Sequence, residues 1–559
     1  MAEDELRIGV FVCKCGTNIA GFLDTAEVAE YARGLPGVVL VQENLFTCSE
    51  AGVAEIRRGI QEHDLNRVVV AACTPRTHEP IFRAACQDAG LNKFLFEFVN
   101  IREHCSWVHK SEPEPATGKA KDLVRMGVAR AAFLEPKDEI VVGVEPRALV
   151  IGGGIAGMTV AYHLAELGCE VYLVEREEEL GGLLRHIHSI YPADLPASEI
   201  LMEAANAVRE HPRVNVLVGS EVAGVAGYIG KYDVQVRQRG GEITPIRVGV
   251  IVVATGADEL VPEGIMGYDG ERVVTQLEFE RVLAAGGPDA VEVVMILCAG
   301  SRMPDRVYCS RICCAAALKN AVLLRRRNPN TRVWVLYRDL MTIGVRYEQL
   351  LQEAKEVGVR FVNYAPDAPP AVEDGRVVVW GPVLARTLEL TPDIVVLSSP
   401  LVAPEGAQEM SRMLKVALDE HHFFLEAHLK LRPLDFATDG IFVCGTARWP
   451  ASIEESISQA RGVAARAAVP LMRGSVCVEP LISILADEEL CRGCGLCRDL
   501  CPYGAIEIVE TPRGPKAKMH EAACKGCGVC GASCYRRAIR MSHFTDEQFV
   551  AQIRAAFQQ

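Results

Sequence analysis

The chain has 559 residues, of which 49% are hydrophobic and 24% are charged, and its formal net charge is -14. This length allows several domains of about 100–200 residues, and the negative charge argues against nucleic acid or an anionic membrane as a partner, since both attract basic surfaces. No apolar run reaches the roughly 18 residues of a spanning helix, and the acidic start MAEDEL lacks the basic beginning of a signal peptide. We therefore expect a cytoplasmic protein with no transmembrane segment.

The 21 cysteines are the main compositional signal, and most of them are clustered. Six fall in the first 105 residues, four lie within 298–314 and eight lie within 491–534. In a long chain without an export signal, such clusters indicate metal ligation or redox chemistry, not structural disulfides.

Residues 1–140 are predicted to form an α/β domain, because the apolar runs RIGVFVC and NRVVVAAC are typical of buried strands and are followed by helical stretches. Two cysteines end these strands, where ligand-bearing loops are usual in α/β domains. The candidate ligands of a [4Fe–4S] cluster here are Cys13, Cys15, Cys48 and Cys73. The alternative is that several of the six are core thiols, which is our interpretation of Cys86.

Residues 147–275 carry the pattern of a dinucleotide-binding Rossmann unit, which we assign to FAD. The segment ALVIGGGIAG predicts a strand, a glycine turn and a helix, and Glu175 ends the next strand, where it can hold a ribose hydroxyl. The candidate flavin-binding residues of this part are Gly152, Gly154, Ala156, Gly157, Glu175, Arg176, Gly182, Thr255 and Gly256. The alternative is a Rossmann domain that binds NAD directly.

Residues 276–390 are predicted to form a second nucleotide-binding-like domain that lacks the NAD fingerprint. After the apolar run VVMIL the chain reads CAGSR, in which Gly300 is the only glycine, so we expect that NAD(P)H does not bind there in the ordinary way. The segment also contains Cys298, Cys309, Cys313 and Cys314, the candidate ligands of a cluster beside the flavin. The alternative is a redox disulfide, although Cys309 and Cys313 have three residues between them and not the two of a Cys-x-x-Cys motif.

Residues 391–470 are predicted to complete the flavin-binding domain. The segment DGIFVCGT resembles the closing motif of two-dinucleotide-binding flavoproteins, which usually ends in Gly-Asp; here Gly445 is followed by Thr446. A linker is predicted over 471–489 and a helical tail over 546–559.

Residues 490–545 are predicted to form a ferredoxin-like domain with two [4Fe–4S] clusters. Two cysteine runs of C-x2-C-x2-C-x3-C spacing follow each other, and in such runs the fourth cysteine ligates the other cluster. One cluster is therefore assigned to Cys491, Cys494, Cys497 and Cys534, and the other to Cys524, Cys527, Cys530 and Cys501. The alternative is a pair of zinc knuckles.

From residue 10 to about 540 the chain resembles the A subunit of heterodisulfide reductase. The stretches that carry the resemblance are VCKCGTNIAG, CSEAG, VVVAACTPRTHEPIF, NIREHCSWVH, VIGGGIAG, CAGSR, YCSRICCAAALKNA and VLYRDL, with the doubled ferredoxin motif. The resemblance implies a thioredoxin-reductase-like, two-dinucleotide-binding α/β flavoprotein core between an N-terminal α/β domain and a C-terminal 2[4Fe–4S] domain. It also implies that the first two cysteine groups are cluster-associated, which gives up to four clusters.

The resemblance further implies a role for Lys319, since the lysine of the CC-x3-LK segment is thought to approach the flavin N5 in that family. As an isolated residue Lys319 would be interpreted as a solvated surface lysine. One departure concerns residues 183–250, which contain no cysteine, whereas many A subunits carry an inserted ferredoxin domain after the first flavin segment. A cluster route through such an insert is therefore absent, which argues against bifurcation.

The leading hypothesis is an electron-transfer oxidoreductase that connects the C-terminal clusters, FAD and partner subunits, with electron bifurcation as a further property. The expected partners resemble the B and C subunits of heterodisulfide reductase and a hydrogenase-linked small iron–sulfur subunit, in a hetero-oligomeric and dimeric complex. One alternative is a non-bifurcating relay in a quinone-, sulfur- or folate-linked complex. Another, of a different class, is an NADPH–disulfide reductase.

Overall fold

The structure is a computed structural model that describes residues 5–191, 195–288, 291–478, 483–485 and 487–558. The chain folds into two compact units. Unit 1 joins residues 1–140 to 478–559, and unit 2 comprises residues 141–477. Part of the linker predicted over 471–489 lies outside the described residues.

The N-terminal part of unit 1 is a parallel four-stranded sheet of order β2-β1-β3-β4, covered by helices. The elements, in chain order, are β1 (Ile8–Cys13), α1 (Thr25–Arg33), β2 (Val38–Asn44), α2 (Glu50–Glu62), β3 (Arg67–Ala72), α3 (Pro75–Asp88), β4 (Phe96–Asn100) and α4 (Pro113–Ala131). Every residue of β1 is buried, as expected for an interior strand of a parallel sheet with both faces covered. The strands predicted from RIGVFVC and NRVVVAAC are therefore confirmed as β1 and β3.

The flavin-type half of unit 2 is a parallel five-stranded sheet of order β10-β7-β6-β14-β25, with an antiparallel sheet of order β11-β12-β13 beside it. After β5 (Ile140–Gly143), its first elements are β6 (Arg147–Ile151), α5 (Ile155–Glu166), β7 (Glu170–Val174), β8 (Ser189–Ile190), β9 (Leu195–Pro196), α6 (Ala197–Glu210), β10 (Val214–Leu217), β11 (Ser220–Tyr228), β12 (Lys231–Gln238), β13 (Ile243–Val248), β14 (Val250–Val253) and β15 (Asp258–Glu259). Apolar side chains bury both faces of the five-stranded sheet.

The second half of unit 2 repeats this plan with a parallel sheet of order β16-β23-β17-β18-β19. Its elements are β16 (Val273–Thr275), α7 (Gln276–Ala284), β17 (Glu292–Ile296), α8 (Cys313–Arg327), β18 (Arg332–Tyr337), α9 (Val345–Glu356), β19 (Arg360–Asn363), β20 (Ala371–Glu373), β21 (Arg376–Gly381), β22 (Arg386–Leu390), β23 (Ile394–Leu397) and β24 (Leu401–Val402). Helix α7 begins with a capping box, in which Thr275 and Glu278 exchange side-chain and backbone hydrogen bonds.

The chain then returns to the first half through α10 (Ala407–Leu414), β25 (Ile441–Val443) and α11 (Ile453–Arg473), after which β26 (Ser475–Val478) ends this part. A second capping box, between Ser452 and Glu455, starts α11. Strand β25 pairs in parallel with β14, so residues from both ends of the flavin-type half meet in one sheet.

The C-terminal part of unit 1 is small and built around its cysteines. Its elements are β27 (Ser483–Leu485), α12 (Leu496–Asp499), β28 (Ile506–Thr511), β29 (Gly514–Met519), α13 (Val529–Ser533), β30 (Ile539–Met541) and α14 (Asp546–Ala556). Five cysteines of the doubled run pack into its core, namely Cys491, Cys497, Cys501, Cys530 and Cys534. The same core also contains a small set of apolar side chains, among them Ile506 and Ile539.

Candidate functional site

A cavity of about 850 Å³ lies in unit 2, where β6, β7 and β14 end. Parallel sheets commonly bind nucleotides at the carboxyl ends of their strands. Nine of the predicted flavin-site residues line it, namely Gly152, Gly154, Ala156, Glu175, Arg176, Gly182, Thr255, Gly256 and Thr446.

The glycine turn between β6 and α5 has the geometry that its sequence pattern requires. Gly152 has φ +106°, which side chains rarely adopt. A Cβ on Gly157 would lie 1.8 Å from the carbonyl oxygen of Gly152, so only glycine permits this helix to pack so closely on the turn. A Cβ on Gly154 would meet nothing within 4 Å. That open approach suits a pyrophosphate at the start of a helix.

Two polar groups of the cavity test whether FAD fits. The carboxylate of Glu175 accepts hydrogen bonds from the backbone N–H of Gly153 at 2.6 Å and of Glu177 at 2.9 Å, so it is held at the cavity wall. Within the described part of the chain the buried Thr255 Oγ1 has no hydrogen-bond partner. A buried hydroxyl without a partner is costly, so a polar ligand in the cavity would satisfy it, and the residues present fit FAD.

Gly445 and Thr446 come to this cavity from the far end of the flavin-type half, after β25. Gly445 has φ +70°, and a Cβ there would lie 2.9 Å from Cβ of Ala156. Its backbone N–H donates to Oε1 of Gln459 at 3.1 Å. Thr446 lines the cavity, whereas Gly445 and Gly157 shape the turns behind it.

Lys319 lines the same cavity, and the interpretation as a solvated surface lysine is wrong. Its side chain is only 12% exposed and forms an ion pair with the buried Glu280. The ammonium group also donates to the carbonyl oxygen of Ser189 at 2.9 Å. Burial lowers the pKa of Lys319, and the carboxylate of Glu280 opposes that effect.

The four cysteines of residues 298–314 converge between β17 and α8. The thiols of Cys298, Cys309 and Cys314 all lie near enough to raise the pKa of Cys313, although burial is the larger cause. Burial likewise raises the pKa of Cys314 to about 11. Cys313 also lines the large cavity, so this group borders the candidate flavin site.

The N-terminal cysteines separate into two sets. Cys13, Cys15, Cys48 and Cys73 interact with one another, and burial, the largest cause, raises the pKa of Cys73 to about 11. The other two lie apart from this set. Cys105 donates to the carbonyl oxygen of Ala116 at 3.0 Å, and Cys86 is fully buried, with its pKa raised to about 12. Cys86 is thus placed in the core.

In the C-terminal part, a cavity of about 30 Å³ is lined by Cys491, Cys494, Cys497 and Cys534. The fourth cysteine of the second run therefore lies beside the first three of the other run. In the other set, the thiols of Cys501 and Cys524 lie close enough to Cys530 to raise its pKa, which burial raises most, and Cys527 is exposed.

Whether iron–sulfur clusters fit these sites can be judged from the cavity between the thiols and from the backbone groups around them. The backbone N–H of Ala517 donates to Sγ of Cys491 at 3.5 Å, and that of Ala505 donates to Sγ of Cys501 at 3.3 Å. Such N–H···S bonds stabilise thiolate ligands. Among the described residues no group of three or more His, Cys, Asp or Glu is arranged around a single metal ion. The thiols of the first set surround one cavity and one of them accepts a backbone N–H, so these residues fit a [4Fe–4S] cluster.

Three charged residues of these sites were missed by the sequence analysis. Arg102 lies beside Cys15 and Cys73, and Arg302 lies beside Cys298. Glu280 pairs with Lys319 across 39 residues of sequence. For Glu280 a signal existed, because an acid occupies the buried face of the amphipathic helix QLEFERVLA next to Phe279 and Leu283.

Among the described residues, no helix has the length and apolar composition needed to cross a membrane.

Two protein-family models match the chain. Residues 146–294 match the family described as pyridine nucleotide-disulphide oxidoreductase, and residues 490–538 match the 4Fe-4S dicluster domain. The chain is also similar to the solved structure of T. acidophilum thioredoxin reductase, with 16% identity and a TM-score of 0.43, over 59% of this chain and 99% of the other. With the two parallel sheets of unit 2, the family models confirm the predicted flavoprotein core and the C-terminal dicluster domain, and hence FAD and [4Fe–4S] clusters as cofactors.

Curated relatives match along almost the whole chain. The iron-sulfur A subunit numbered 2 of the CoB--CoM heterodisulfide reductase of Methanopyrus kandleri is 38% identical over 100% of this chain and 99% of its own length. The A subunit of the H(2):CoB-CoM heterodisulfide,ferredoxin reductase of Methanothermobacter marburgensis is 36% identical over 99% and 98%. A protein of Archaeoglobus profundus, named as like the A subunit of heterodisulfide reductase, is 33% identical over 99% and 98%. The chain is therefore an oxidoreductase electron-transfer subunit that belongs to the family of heterodisulfide reductase A subunits.

Proposed function

We propose that this chain is the FAD and iron–sulfur hub of a heterodisulfide-reductase-like complex, in which it passes electrons between its C-terminal clusters, FAD and partner subunits. One observation carries the proposal: Cys313 belongs to the four-cysteine group and also lines the flavin cavity. A cluster on that group would border the flavin site, which is the arrangement an electron relay needs.

The proposed ligand sets follow the cysteine groups. The C-terminal clusters are assigned to Cys491, Cys494, Cys497 and Cys534, and to Cys524, Cys527, Cys530 and Cys501; two further clusters are assigned to Cys298, Cys309, Cys313 and Cys314, and to Cys13, Cys15, Cys48 and Cys73. Metal ligation needs thiolates, and burial raises the pKa of Cys73 and Cys314 to about 11. Binding of iron at these positions therefore releases protons.

When bound, FAD supplies the conversion between two-electron and one-electron transfer. The residues of this chain bind and tune it. Gly154 leaves room for the pyrophosphate, Glu175 and Thr255 offer hydrogen bonds, and Lys319 places a buried positive charge in the cavity. A cation in a site of low dielectric constant favours added negative charge on the bound group, and so makes its reduction easier.

The proposed partners are subunits like B and C of heterodisulfide reductase and a small hydrogenase-linked iron–sulfur subunit. The names of the relatives, which describe them as subunits of heterodisulfide reductases, support this assignment. A chain with several cysteine groups in two separate units offers more than one place for electrons to enter and leave.

Bifurcation is the finer form of this proposal. The alignment with the Methanopyrus relative spans 655 positions against 559 residues here, so that relative carries insertions that this chain lacks. Residues 183–250 hold no cysteine, so a low-potential exit has to use one of the four cysteine groups. Measurement of both one-electron potentials of the bound flavin tests this form: crossed potentials support bifurcation, and ordered potentials leave a simple relay.

Iron, sulfide and flavin content of anaerobically purified protein tests the hub itself. Four clusters predict about sixteen irons with one FAD, and the C-terminal pair alone predicts about eight. The Cys313→Ser and Cys15→Ser variants are each expected to lose up to about four irons. Cys86→Ala is the matched control, because Cys86 lies in the core apart from the ligand set. Protein without bound metal or flavin would overturn the proposal.

A further inference from the structure

We propose that Glu280 is the positioning residue of the Lys319 site: its carboxylate keeps the Lys319 ammonium charged and fixes where it sits in the flavin cavity. This inference rests on the proposed function for the role of Lys319 but adds a residue that the cysteine and glycine motifs do not identify. Glu280 is 3% exposed, and both Glu280 and Lys319 line the cavity.

Both carboxylate oxygens of Glu280 are used. Oε1 pairs with Nζ of Lys319, and Oε2 accepts from the backbone N–H of His188 at 2.9 Å. A carboxylate held at both oxygens has a fixed orientation, so the ammonium group paired with it is fixed as well. The second contact of the lysine, with the carbonyl oxygen of Ser189, comes from the same short segment as His188.

That segment, His186–Ser189, belongs to the flavin-type half and is held by the second half of unit 2 at four points. Two are the contacts of Glu280 and Lys319. The others are Nη2 of Arg281, 3.4 Å from Nδ1 of His186, and Nη2 of Arg327, 2.9 Å from Nε2 of His188. The residues of the second half that make these four contacts lie on α7 and α8. The ion pair is therefore one of several contacts that hold both helices against this segment of the cavity wall.

Among the charged groups around Lys319, the carboxylate of Glu280 is the one that favours its protonated form. Burial lowers the pKa of Lys319, and the carboxylate of Glu280 opposes this. His188 is a further titratable neighbour: burial and the cations of Arg327 and Lys319 lower its pKa and outweigh the opposite effect of the Glu280 carboxylate. If the carboxylate is removed, Lys319 becomes a buried cation without a counter-charge, and such a group loses its proton.

The direct test needs no flavin. The rate of acetylation of Lys319 is followed by mass spectrometry against pH in flavin-free full-length protein, for the wild type and for Glu280→Gln. The variant is expected to shift the midpoint of the profile down by a unit or more, so that at a pH below both midpoints the neutral amine is at least about tenfold more abundant. An unchanged profile would overturn the inference.

The matched control is Glu292→Gln. Glu292 is also a buried acid of the second half, but it pairs with Arg332 and Trp334 away from the cavity. It is expected to leave the Lys319 profile unchanged. If Glu280→Gln fails to fold, Glu280→Asp replaces it: a carboxylate withdrawn by one methylene is expected to give a smaller downward shift, and no shift contradicts the proposal.

The second readout separates this inference from the proposed function. In flavin-loaded protein, Glu280→Gln is expected to move the flavin midpoint potential to more negative values, by about 30 mV for each tenfold change in the two-electron equilibrium. Lys319→Gln should move it in the same direction. If both variants leave the potential unchanged while the acetylation profile shifts, the pairing stands and the role of Lys319 in tuning the flavin fails.

Discussion

Gly157 is the residue of the flavin turn with the least free space, since an added Cβ would lie 1.8 Å from the carbonyl oxygen of Gly152. We expect Gly157→Ala to push α5 away from the turn and to cost about 1–3 kcal/mol of stability, because overpacking of a tight contact has that magnitude. The measurements are the melting temperature and the flavin released per protein chain, and both should fall.

Gly240→Ala is the control for that substitution. A Cβ there would meet nothing within 4 Å, and the residue lies in the loop between β12 and β13, away from the cavity. It should retain flavin and melt like the wild type. Equal flavin content in both variants would show that the close approach at Gly157 does not shape the binding site.

At the scale of elements, the cavity beside α12 leads to a prediction about which cysteines share a cluster. Cys534 follows α13 but lines a cavity with Cys491, Cys494 and Cys497. We therefore expect Cys534→Ser to weaken the cluster of the first run. Alkylation followed by mass spectrometry should then label Cys491 and its two neighbours in that run, while the thiols of the second run stay protected.

Cys501→Ser is the reciprocal variant, since Cys501 lies with Cys524 and Cys530. It should expose the second run to alkylation and leave the first protected. If each variant instead exposed the thiols of its own run, the crossed ligation would be wrong.

Local patterns explain why some elements were predictable and others were not. The runs behind β1 and β3 are continuous and apolar, as buried parallel strands are, and they were predicted as such. The antiparallel sheets of unit 2 were not predicted, although the alternation was visible. In KYDVQVRQ of β12 every second residue is buried.

The same distinction holds for the candidate site. Cysteine spacing is local, so one loop carries most ligands of a cluster and the sequence displays them. The pair between Lys319 and Glu280 depends on how α7 and α8 pack, and Thr255 became notable only because its hydroxyl is buried without a partner among the described residues. Contacts between distant segments require the fold itself.

At the scale of the whole molecule, the two ends of the chain meet in unit 1. Arg125 of α4 donates to the carbonyl oxygen of Ala555 at 2.6 Å, where a cation favours the end of helix α14. Arg130 donates to the carbonyl oxygen of His543 at 2.6 Å, and the ring of Phe94 lies 5.6 Å from that of His543. The tail therefore contacts the N-terminal domain through a partly buried histidine.

Burial, followed by the cations Lys137, Arg130 and Arg83, lowers the pKa of His543 from 6.5 to about 4. Between those two values the unfolded chain binds a proton that the folded chain does not, so stability falls as pH falls from 6.5 to about 4. Allowing for the partial exposure of the ring, the loss is about 1–2 kcal/mol. Hydrogen exchange of α14 should increase across this window.

His543→Gln is expected to remove that part of the pH dependence, since glutamine does not titrate. Exchange of β6 and β14, which lie in the other unit, provides the internal reference. The expectation would be contradicted if the protection of the α14 amides against hydrogen exchange in the wild type stayed constant from pH 6.5 to about 4.5. Protonation of His543 would then not lower the stability of the folded state.

The connection between β17 and α8 decides whether the whole molecule takes electrons directly from a pyridine nucleotide. In a dinucleotide-binding half, a short glycine turn brings the pyrophosphate to the start of the helix. Here residues 297–312 fill that position, with Gly300 as their only glycine, and α8 begins at Cys313 within the four-cysteine group. A second pyrophosphate would meet the cysteine group there instead of a glycine turn.

We therefore expect that excess NADPH or NADH leaves the flavin absorbance of the anaerobic protein unchanged, whereas dithionite bleaches it. Thioredoxin reductase under the same conditions is the positive control, since its flavin should be bleached by NADPH. Reduction of the flavin by NADPH as fast as in the thioredoxin reductase control would contradict the expectation. It would mean that a nucleotide site exists without the fingerprint, and that the cysteine group serves an NADPH–disulfide reductase and not a cluster relay.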